Sequence, residues 1–221
     1  MIYEKHFNSE YEIMANGVIR QRVITKQIQY DKDYVLTNYV KNISELVSQN
    51  MAFLRLGNVV SSIGHIPKSI LDVGYGSGSF LNVATEIITD VNGYDVPPIF
   101  PICNPNVKIQ NSMFDRDYEV ITFFDSLEHF PNIYEIEKAK CRYMYISCPW
   151  CHFEENKNYE LFYKWKHRKP DEHLYHFGIK SLCAFMKEIG FEYISHSNIE
   201  DCIRRTNLSE ENILSACFKK I

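Results

Sequence analysis

The sequence predicts an α/β fold with a parallel sheet at its centre, and three observations support this fold class. A short apolar run at residues 70 to 73 is followed by alternate glycines and then by apolar residues at helical spacing. Six further short runs, rich in β-branched and aromatic residues, come later in the chain. The 221 residues, 45% of them apolar and 24% charged, are enough for one domain with a complete core.

The composition also narrows the classes of partner and compartment. The formal net charge is −4, whereas a large nucleic-acid footprint normally appears as a basic domain, so nucleic acid is not favoured as a partner. Seven cysteines, several of them inside apolar patterns, are typical of free thiols in a reducing compartment. Residues 1 to 5 carry no apolar signal run, and no stretch reaches transmembrane length. We expect a cytoplasmic protein without a membrane partner, and the composition predicts no oligomeric state.

The residues before the first apolar run are assigned to an N-terminal helical cap segment, 1–65. Residues 1 to 30 are polar and mixed, with aromatic residues scattered among charges. An amphipathic helix is predicted over roughly 32 to 50, and a second apolar-rich segment follows from 51 to 63. One interpretation of such a helix is that it simply caps an edge of the sheet.

Gly74, Gly76 and Gly78 form a sharp turn between the first predicted strand and the helix after it. A backbone without Cβ atoms turns tightly and lets a ligand press against it, and the first amides of the helix favour a negative group. The spacing is D-x-G-x-G-x-G from Asp72, whereas a dinucleotide fingerprint would place glycine where Ser79 stands. The turn therefore indicates a nucleotide-like cofactor other than a dinucleotide, and a ligand-free structural turn is the alternative.

Asp95 supports a cofactor site from the next predicted strand, residues 91 to 96. It stands at the end of that strand, 21 residues after Gly74. An acidic residue at this place accepts hydrogen bonds from the ribose hydroxyls of a cofactor. Since NAD-dependent enzymes use the same device, Asp95 indicates a nucleoside cofactor without distinguishing its type.

The motif from Asp72 to Gly78 resembles motif I of the class I S-adenosylmethionine-dependent methyltransferases. The resemblance covers about residues 66 to 221, which we assign to one S-adenosylmethionine-binding domain with an insert at 149–177. It implies a doubly wound, seven-stranded, mostly parallel sheet with helices on both faces and a C-terminal antiparallel hairpin strand. It also implies that the helices before motif I contribute to the substrate mouth. The cofactor-binding residues that it implies are Asp72, Gly74, Tyr75, Gly76, Gly78, Asp95, Val96, Ser112, Met113, Asp125 and Ser126.

The later predicted elements follow the order of that family, with one departure. Three prolines between residues 97 and 101, and only 11 residues between Asp95 and Val107, leave room for at most a short crossover helix. The strand at 118–124 runs into the sequence from Asp125 to Pro131, which resembles the family's motif IV. Strands are also predicted at 107–110, 142–148, 191–194 and 213–218, with helices at 133–140 and 179–189 and a helix stop at Gly190.

The insert at 149–177 is long for a connection between a strand and a helix, and a loop of this length is usually a functional lid. It contains both tryptophans, Trp150 and Trp165, with six other aromatic residues and four histidines. Aromatic planes beside the cations at 164–169 suit a sugar ring, a nucleobase or a phosphate-bearing ligand. The alternative is a surface excursion held down by its own aromatic side chains.

His129, His152 and His173 are the candidate catalytic residues, with His176 as a further candidate base. An imidazole can take the proton from an acceptor hydroxyl as the methyl group arrives. The alternative for each histidine is a half-buried hydrogen-bonding role without chemistry.

We expect no metal, although two sets of residues have the types that bind one. Cys148-x-x-Cys151 with His173-x-x-His176 has zinc-like spacing. Asp125-x-x-Glu128-His129 with a later histidine resembles the metal quartet of the small-RNA 3′-terminal 2′-O-methyltransferases, although that group has glutamate at the position of Asp125.

Together these residues predict a transferase, an S-adenosylmethionine-dependent methyltransferase. The expected reaction is O-methylation of a small hydroxylated acceptor that resembles a sugar or a nucleotide, held under the insert. Asp125-Ser126-Leu127-Glu128 lacks the Asn-Pro-Pro-Tyr type of sequence that is common in enzymes with nitrogen acceptors. Two alternatives stay open, a metal-assisted RNA 2′-O-methyltransferase and a non-catalytic subunit that uses the methyltransferase fold for binding.

Overall fold

The computed structural model describes residues 5–6, 10–26, 28, 45–96, 101–204 and 211–221, the first pair by its backbone alone. The strands are β1 Lys5–His6, β2 Tyr11–Ile13, β3 Ile19–Gln21, β4 Ser69–Val73, β5 Asp90–Tyr94, β6 Val107–Ile109, β7 Tyr118–Phe124, β8 Cys141–Pro149, β9 Tyr175–His176, β10 Phe191–Ser197 and β11 Ile213–Lys220. The helices are α1 Glu45–Ile63, α2 Ser79–Ala84, α3 Phe153–Asn156, α4 Tyr159–Lys164, α5 Ile179–Glu188 and α6 Asp201–Arg204. Short 3₁₀ helices span Leu127–His129 and Ile133–Lys138.

The main sheet has seven strands in the order β10-β11-β8-β7-β4-β5-β6, which confirms the predicted fold class. The strands from β8 to β6 are parallel, and β11 runs antiparallel to both β8 and β10. The chain moves outward from β4 through β5 to β6 and then returns to the other side of β4 with β7. Because the connections leave β4 and β7 in opposite directions, a crevice opens at the carboxyl ends of these two strands.

Apolar residues alternate between the two faces of the sheet, and each face is covered by helices. Ile70 lies in a core with α1 and α2, whereas its neighbour Leu71 lies in a second core with α5. The same alternation separates Phe124 from Phe123 on β7. A strand that is buried on both faces has this uninterrupted apolar sequence. The two cores hold the strand ends, and hence the crevice, in place.

A second, smaller sheet joins the N-terminal residues to the insert. Its order is β1-β2-β3-β9, and Ile19 on β3 pairs with His176 on β9. The sequence did not predict β1, β2 or β3, because strands of two or three residues leave no periodic pattern in a sequence. The helical cap description fits α1 and leaves out β1 to β3. The division at residue 65 stays a prediction.

The insert forms two short helices, α3 and α4, and then β9. Its aromatic residues pack into a third core, in which Phe153 and Phe162 contact Tyr11 and Ile19 from the N-terminal strands. Phe162 lies edge-on to Tyr11, with ring centroids 5.3 Å apart. The aromatic residues of the insert thus hold it against the small sheet.

The helices differ from the predicted bounds in two places. The helix α1 is continuous across the predicted boundary at residues 50 and 51, and the part of the prediction at 32–44 lies outside the described residues. The helix α2 ends at Ala84, before the apolar residues at 87 and 88. Pro97 and Pro98 also lie outside the described residues. No helix in the described part of the chain is long and apolar enough to cross a membrane.

Candidate functional site

The glycine turn, residues 74 to 78, lies at the carboxyl end of β4 and opens α2. Gly74, Gly76 and Gly78 have φ angles of 77°, 54° and 77°, a region that side chains with a Cβ rarely adopt. A Cβ on Gly74 would lie 2.6 Å from the Cβ of Ser126, so this glycine also allows β7 to approach closely. The glycine spacing is thus required by the backbone itself.

Asp95 lies beside the glycine turn, just after β5. Its Oδ2 accepts from the amide of Gly76 at 2.9 Å, and its Oδ1 accepts from the amide of Val96 at 2.8 Å. Burial raises the pKa of Asp95, and the two amide hydrogen bonds oppose that rise. Each oxygen retains a lone pair for a further donor, so the carboxyl group can accept from vicinal hydroxyls.

Asp72 and Ser126 tie the ends of β4 and β7 together beneath the turn. Asp72 is 2% exposed and accepts from Thr122 Oγ1 at 2.8 Å. Burial raises its pKa to about 7, although the Thr122 hydroxyl lowers it. Ser126 Oγ donates to the carbonyl of Val73 at 2.7 Å. Both side chains therefore make hydrogen bonds within the protein, and these bonds hold the turn in position.

The other predicted cofactor-binding residues surround the turn more loosely. The Tyr75 ring is buried beside Gly93, whose added Cβ would lie 2.8 Å from it. Ser112 Oγ accepts from the amide of Phe114 at 3.0 Å, in the turn after β6. Met113 is 3% exposed in the core, and the side chain of Val96 is exposed. Their contacts with a cofactor stay predictions.

Asp125 belongs to a four-residue ionic cluster, the Asp125 network of Arg55, Asp125, Glu200 and Arg204. Arg55 Nη2 donates to Asp125 Oδ2 at 2.9 Å, and Arg204 pairs with both Asp125 oxygens. Glu200 is 1% exposed and accepts from Arg55 Nε and Nη2, each at 2.9 Å. Burial disfavours the charged form of Asp125, but the guanidinium groups of Arg204 and Arg55 hold its pKa well below the usual range.

This network was missed in the sequence, apart from Asp125 itself. Arg55 carries the only charge between Met51 and Ile63, and a lone cation on an apolar helix face was an available signal. Glu200 and Arg204 had no such signal, because they stand in a polar segment between two predicted strands. Asp125 has φ of 51°, a conformation that aspartate tolerates and that turns its carboxylate toward the arginines.

Glu128, His129 and His173 converge beside the same crevice and are called the Glu128 cluster. One ligand-capable atom on each lies within 4.8 Å of the others. Leu174 donates its amide to the carbonyl of Glu128 at 2.8 Å, which joins the insert to the turn after β7. The imidazole rings of His129 and His173 are perpendicular, with centroids 4.8 Å apart.

Burial governs the charge states of this cluster. Glu128 is 1% exposed, and neither of its carboxylate oxygens has a hydrogen-bond partner among the described residues. Burial, with the nearby Asp125 charge, raises the pKa of Glu128 well above its usual value. Burial also lowers the pKa of His129, and it lowers that of His173 to about 3. Both imidazoles are therefore neutral at physiological pH, as a base or a metal ligand must be.

His152, His176 and the cysteines lie in other surroundings. His152 Nε2 is 2.7 Å from the carbonyl of Glu211, and its ring stacks on Trp150. His176 is 3% exposed, packed among aromatic rings, and its Nε2 has no partner among the described residues. Cys148 and Cys151 are buried, and burial raises the pKa of both thiols. In the described part of the chain, the zinc-like set of Cys148, Cys151, His173 and His176 does not converge.

A comparison with models of protein families shows to which family the chain belongs. A family model described as a methyltransferase domain matches residues 39–196, well over half of the sequence. This protein belongs to the class I S-adenosylmethionine-dependent methyltransferases. The predicted enzyme class and cofactor are thereby confirmed. No curated protein sequence matches this methyltransferase significantly.

Solved structures with the same fold include several methyltransferases. The 1,6-didemethyltoxoflavin-N1-methyltransferase of Burkholderia thailandensis is 12% identical, with 98% of each chain covered and a TM-score of 0.59. The plantazolicin methyltransferase BpumL is 15% identical, with 86% of this chain and 90% of that chain covered and a TM-score of 0.56. The magnesium protoporphyrin IX methyltransferase of Synechocystis PCC 6803 is 13% identical, with 83% and 88% covered and a TM-score of 0.55. All three were solved with S-adenosylhomocysteine, and at these identities they show the fold alone.

The residues of this methyltransferase fit the cofactor. The glycine turn presents backbone without Cβ atoms at the crevice, where the carboxylate of a methionine moiety can approach the start of α2. Asp95 places a carboxyl group with free lone pairs next to that turn. A backbone cradle and an acceptor for vicinal hydroxyls are the two features that an amino-acid nucleoside requires.

Proposed function

We propose that this methyltransferase methylates a hydroxyl oxygen of a small polar acceptor. The supporting observation is the position of the Glu128 cluster, which lies just after β7, the strand next to the glycine turn at the end of β4. When bound, S-adenosylmethionine supplies an electrophilic methyl group on a positively charged sulfur. The acceptor oxygen has to meet that methyl in line with the sulfur, so the acceptor must lie against the end of β7.

In this proposal one group of residues binds the cofactor, and a second group positions the edge of the crevice. Asp72 and the glycine turn with Tyr75 shape the methionine pocket, Asp95 holds the ribose, and Ser112 and Met113 border the adenine. The Asp125 network fastens α1 and α6 to the end of β7, so Asp125 orients this edge of the crevice. Ser126 fixes the spacing between β7 and the turn through its bond to Val73.

His129 and His173 are the residues that act on the acceptor hydroxyl in this proposal. A hydroxyl must lose its proton as the oxygen–carbon bond forms, and an uncharged imidazole has a lone pair that can accept this proton. His173 Nδ1 is 2.8 Å from the carbonyl of His167, so we infer that Nδ1 carries the proton and Nε2 keeps its lone pair. In His152 it is Nε2 that bonds to a carbonyl, that of Glu211, so Nδ1 is the nitrogen on the side of Glu155.

The experiment is incubation with S-adenosylmethionine labelled with ¹³C in its methyl group, in the presence of a panel of sugars, nucleosides and phenols. An O-methyl carbon signal in the product, absent with Asp95→Ala, is the expected result. An N-methyl or C-methyl product would contradict the choice of oxygen. Binding of S-adenosylhomocysteine without turnover on any acceptor would favour the non-catalytic binding subunit instead.

A further inference from the structure

We propose that Glu128, His129 and His173 bind one divalent first-row transition-metal ion, such as Mn²⁺ or Zn²⁺, with coordination positions left open toward the acceptor. The role of the ion in catalysis rests on the proposed function, whereas its binding does not. Two imidazoles and one carboxylate form a ligand set that suits these metals better than Mg²⁺, which prefers oxygen ligands.

The carboxylate of Glu128 is the first argument for an ion. A buried carboxyl group normally accepts two or more hydrogen bonds, yet both oxygens of Glu128 lack a partner among the described residues. The side chain is 1% exposed, so bulk water does not satisfy it. The oxygens face the two imidazoles, and a cation between them would supply the missing interaction.

The orientation of the two imidazoles is the second argument. His173 Nδ1 bonds to the carbonyl of His167, and His129 hydrogen-bonds to the backbone of Glu172. A metal-bound histidine typically uses its second nitrogen in this way, because a bond to a carbonyl fixes the tautomer and aims the remaining lone pair. The cluster thus has outer hydrogen bonds of the kind that accompany metal ligands.

The backbone holds the three ligands before any ion arrives. Glu128 and His129 are adjacent in the 3₁₀ helix Leu127–His129. His173 comes from the insert, and the bond from the Leu174 amide to the Glu128 carbonyl, at 2.8 Å, brings it to that helix. Little conformational entropy is therefore lost when the three side chains close around an ion.

Asp125 is excluded from the ligand set, although it stands three residues before Glu128. Its two oxygens accept from Arg55 and Arg204, which lie on α1 and α6. A nearby cation, Lys169, also has a partner of opposite charge, since its ammonium group lies 2.9 Å from Glu172 Oε1.

With three protein ligands, a tetrahedral or octahedral ion keeps at least one open position, as catalytic sites do. There it would bind the acceptor oxygen and lower the pKa of its hydroxyl, so that the proton leaves to water and the two imidazoles act through the ion instead of taking the proton themselves.

The test is titration of the cofactor-free protein with Mn²⁺, followed by electron paramagnetic resonance, since Mn²⁺ avoids the thiols that would bind Zn²⁺. We expect one ion per chain, with affinity reduced by at least about tenfold in Glu128→Gln and in His173→Ala. His65→Ala is the matched control, because His65 Nε2 pairs with Glu119 Oε1 at 2.7 Å away from the crevice. Unchanged binding in both cluster variants, or equal loss in the control, would overturn the site.

Two further measurements distinguish failure of this inference from failure of the proposed function. Bound Mn²⁺ should enhance the relaxation of water protons, which reports an open position, and absence of enhancement would refute that part. S-adenosylhomocysteine titration on the same samples should be unaffected by Glu128→Gln. Absence of Mn²⁺ binding in the wild-type protein, with cofactor binding and turnover present, would overturn the metal site alone, whereas absence of cofactor binding in the wild-type protein would overturn the proposed function. His129→Ala replaces either cluster variant that fails to fold.

Discussion

The Oδ2 atom of Asp95 accepts a hydrogen bond from the backbone amide of Gly76 at 2.9 Å, which joins the end of β5 to the middle of the glycine turn. The two parts of the site that we propose to contact different portions of the cofactor are therefore fixed to each other. Residues 19 positions apart in sequence set each other's position in the crevice. Predictions for binding and for stability follow from this arrangement.

Asp95→Ala should weaken binding of S-adenosylhomocysteine by about 10- to 100-fold, since hydrogen bonds to a charged group contribute about 1.5–3 kcal/mol. Isothermal titration calorimetry measures the change. Asp90→Ala is the control, because Asp90 begins the same strand and pairs with Lys108 at 3.0 Å at the opposite end. Equal weakening in the two variants would mean that Asp95 acts through the strand and not on the ligand.

Gly74→Ala should lower the free energy of unfolding by about 1–3 kcal/mol, because alanine resists a φ of 77° and its Cβ would meet Ser126 at 2.6 Å. Gly57→Ala in α1 should have the opposite sign, with a gain of about 0.5–1 kcal/mol, since no atom lies within 4 Å of the added Cβ. Urea denaturation measures both. A neutral Gly74→Ala would show that the turn relaxes freely.

Glu200→Gln should cost about 3–5 kcal/mol of unfolding free energy, because it leaves the buried arginines of the Asp125 network short of one charge. Glu200 is 1% exposed, and Ser147 Oγ donates to it at 2.6 Å. Glu192→Gln is the control, because it makes the same chemical change at an exposed glutamate, whose carboxylate lies 3.5 Å from Lys219 Nζ. The control should change stability by less than about 0.5 kcal/mol. Similar costs would argue against a special role for the network.

Asp72 should make the protein less stable as the pH rises toward neutrality. Its folded pKa is raised to about 7, above the value of about 3.9 in an unfolded chain, so the folded state holds the proton more tightly. The stabilisation is complete below about pH 4 and is lost as the pH passes through about 7. Asp72→Asn should therefore flatten the decline in unfolding free energy between pH 4 and 7. An unchanged slope in chemical denaturation, measured without cofactor, would contradict the assignment.

Phe162→Ala should destabilise the protein by about 3–5 kcal/mol, because the ring is 3% exposed and packs on Tyr11. Its neighbour Leu161 is 50% exposed, so Leu161→Ala should cost less than about 0.5 kcal/mol. Thermal unfolding compares the two variants. If both have the same small effect, the insert is held to the small sheet by its backbone alone.

The glycine turn and Asp95 were found in the sequence because their signals are local. The turn needs three glycines at alternate positions, and β4, β5 and β7 have apolar runs that end next to it. Parallel strands bring their carboxyl ends to one edge, so the sequence positions already imply proximity. The fold class followed from the same patterns, and the strand bounds differ from the structure by only a few residues.

The Glu128 cluster was predictable only in part. Glu128 and His129 are adjacent, and their place after β7 puts them at the crevice. The insert offers four histidines, however, and their types do not say that His173 reaches the cluster while His176 packs on aromatic rings. That choice depends on tertiary hydrogen bonds: β9 pairs His176 with Ile19 of β3, and the Leu174 amide bonds to the Glu128 carbonyl beside His173.

By itself the sequence determined the fold class and the cofactor, and it predicted the edge of the sheet at which the cofactor binds, because hydrophobic period and glycine spacing act over a few neighbouring residues. Only the tertiary structure decided which charges meet. Arg55 and Glu200 are 145 positions apart, and Asp125 pairs with Arg55 and Arg204 from two different helices. Pairing over such distances is selected by burial, because a desolvated charge must find its partner wherever the packed core presents one.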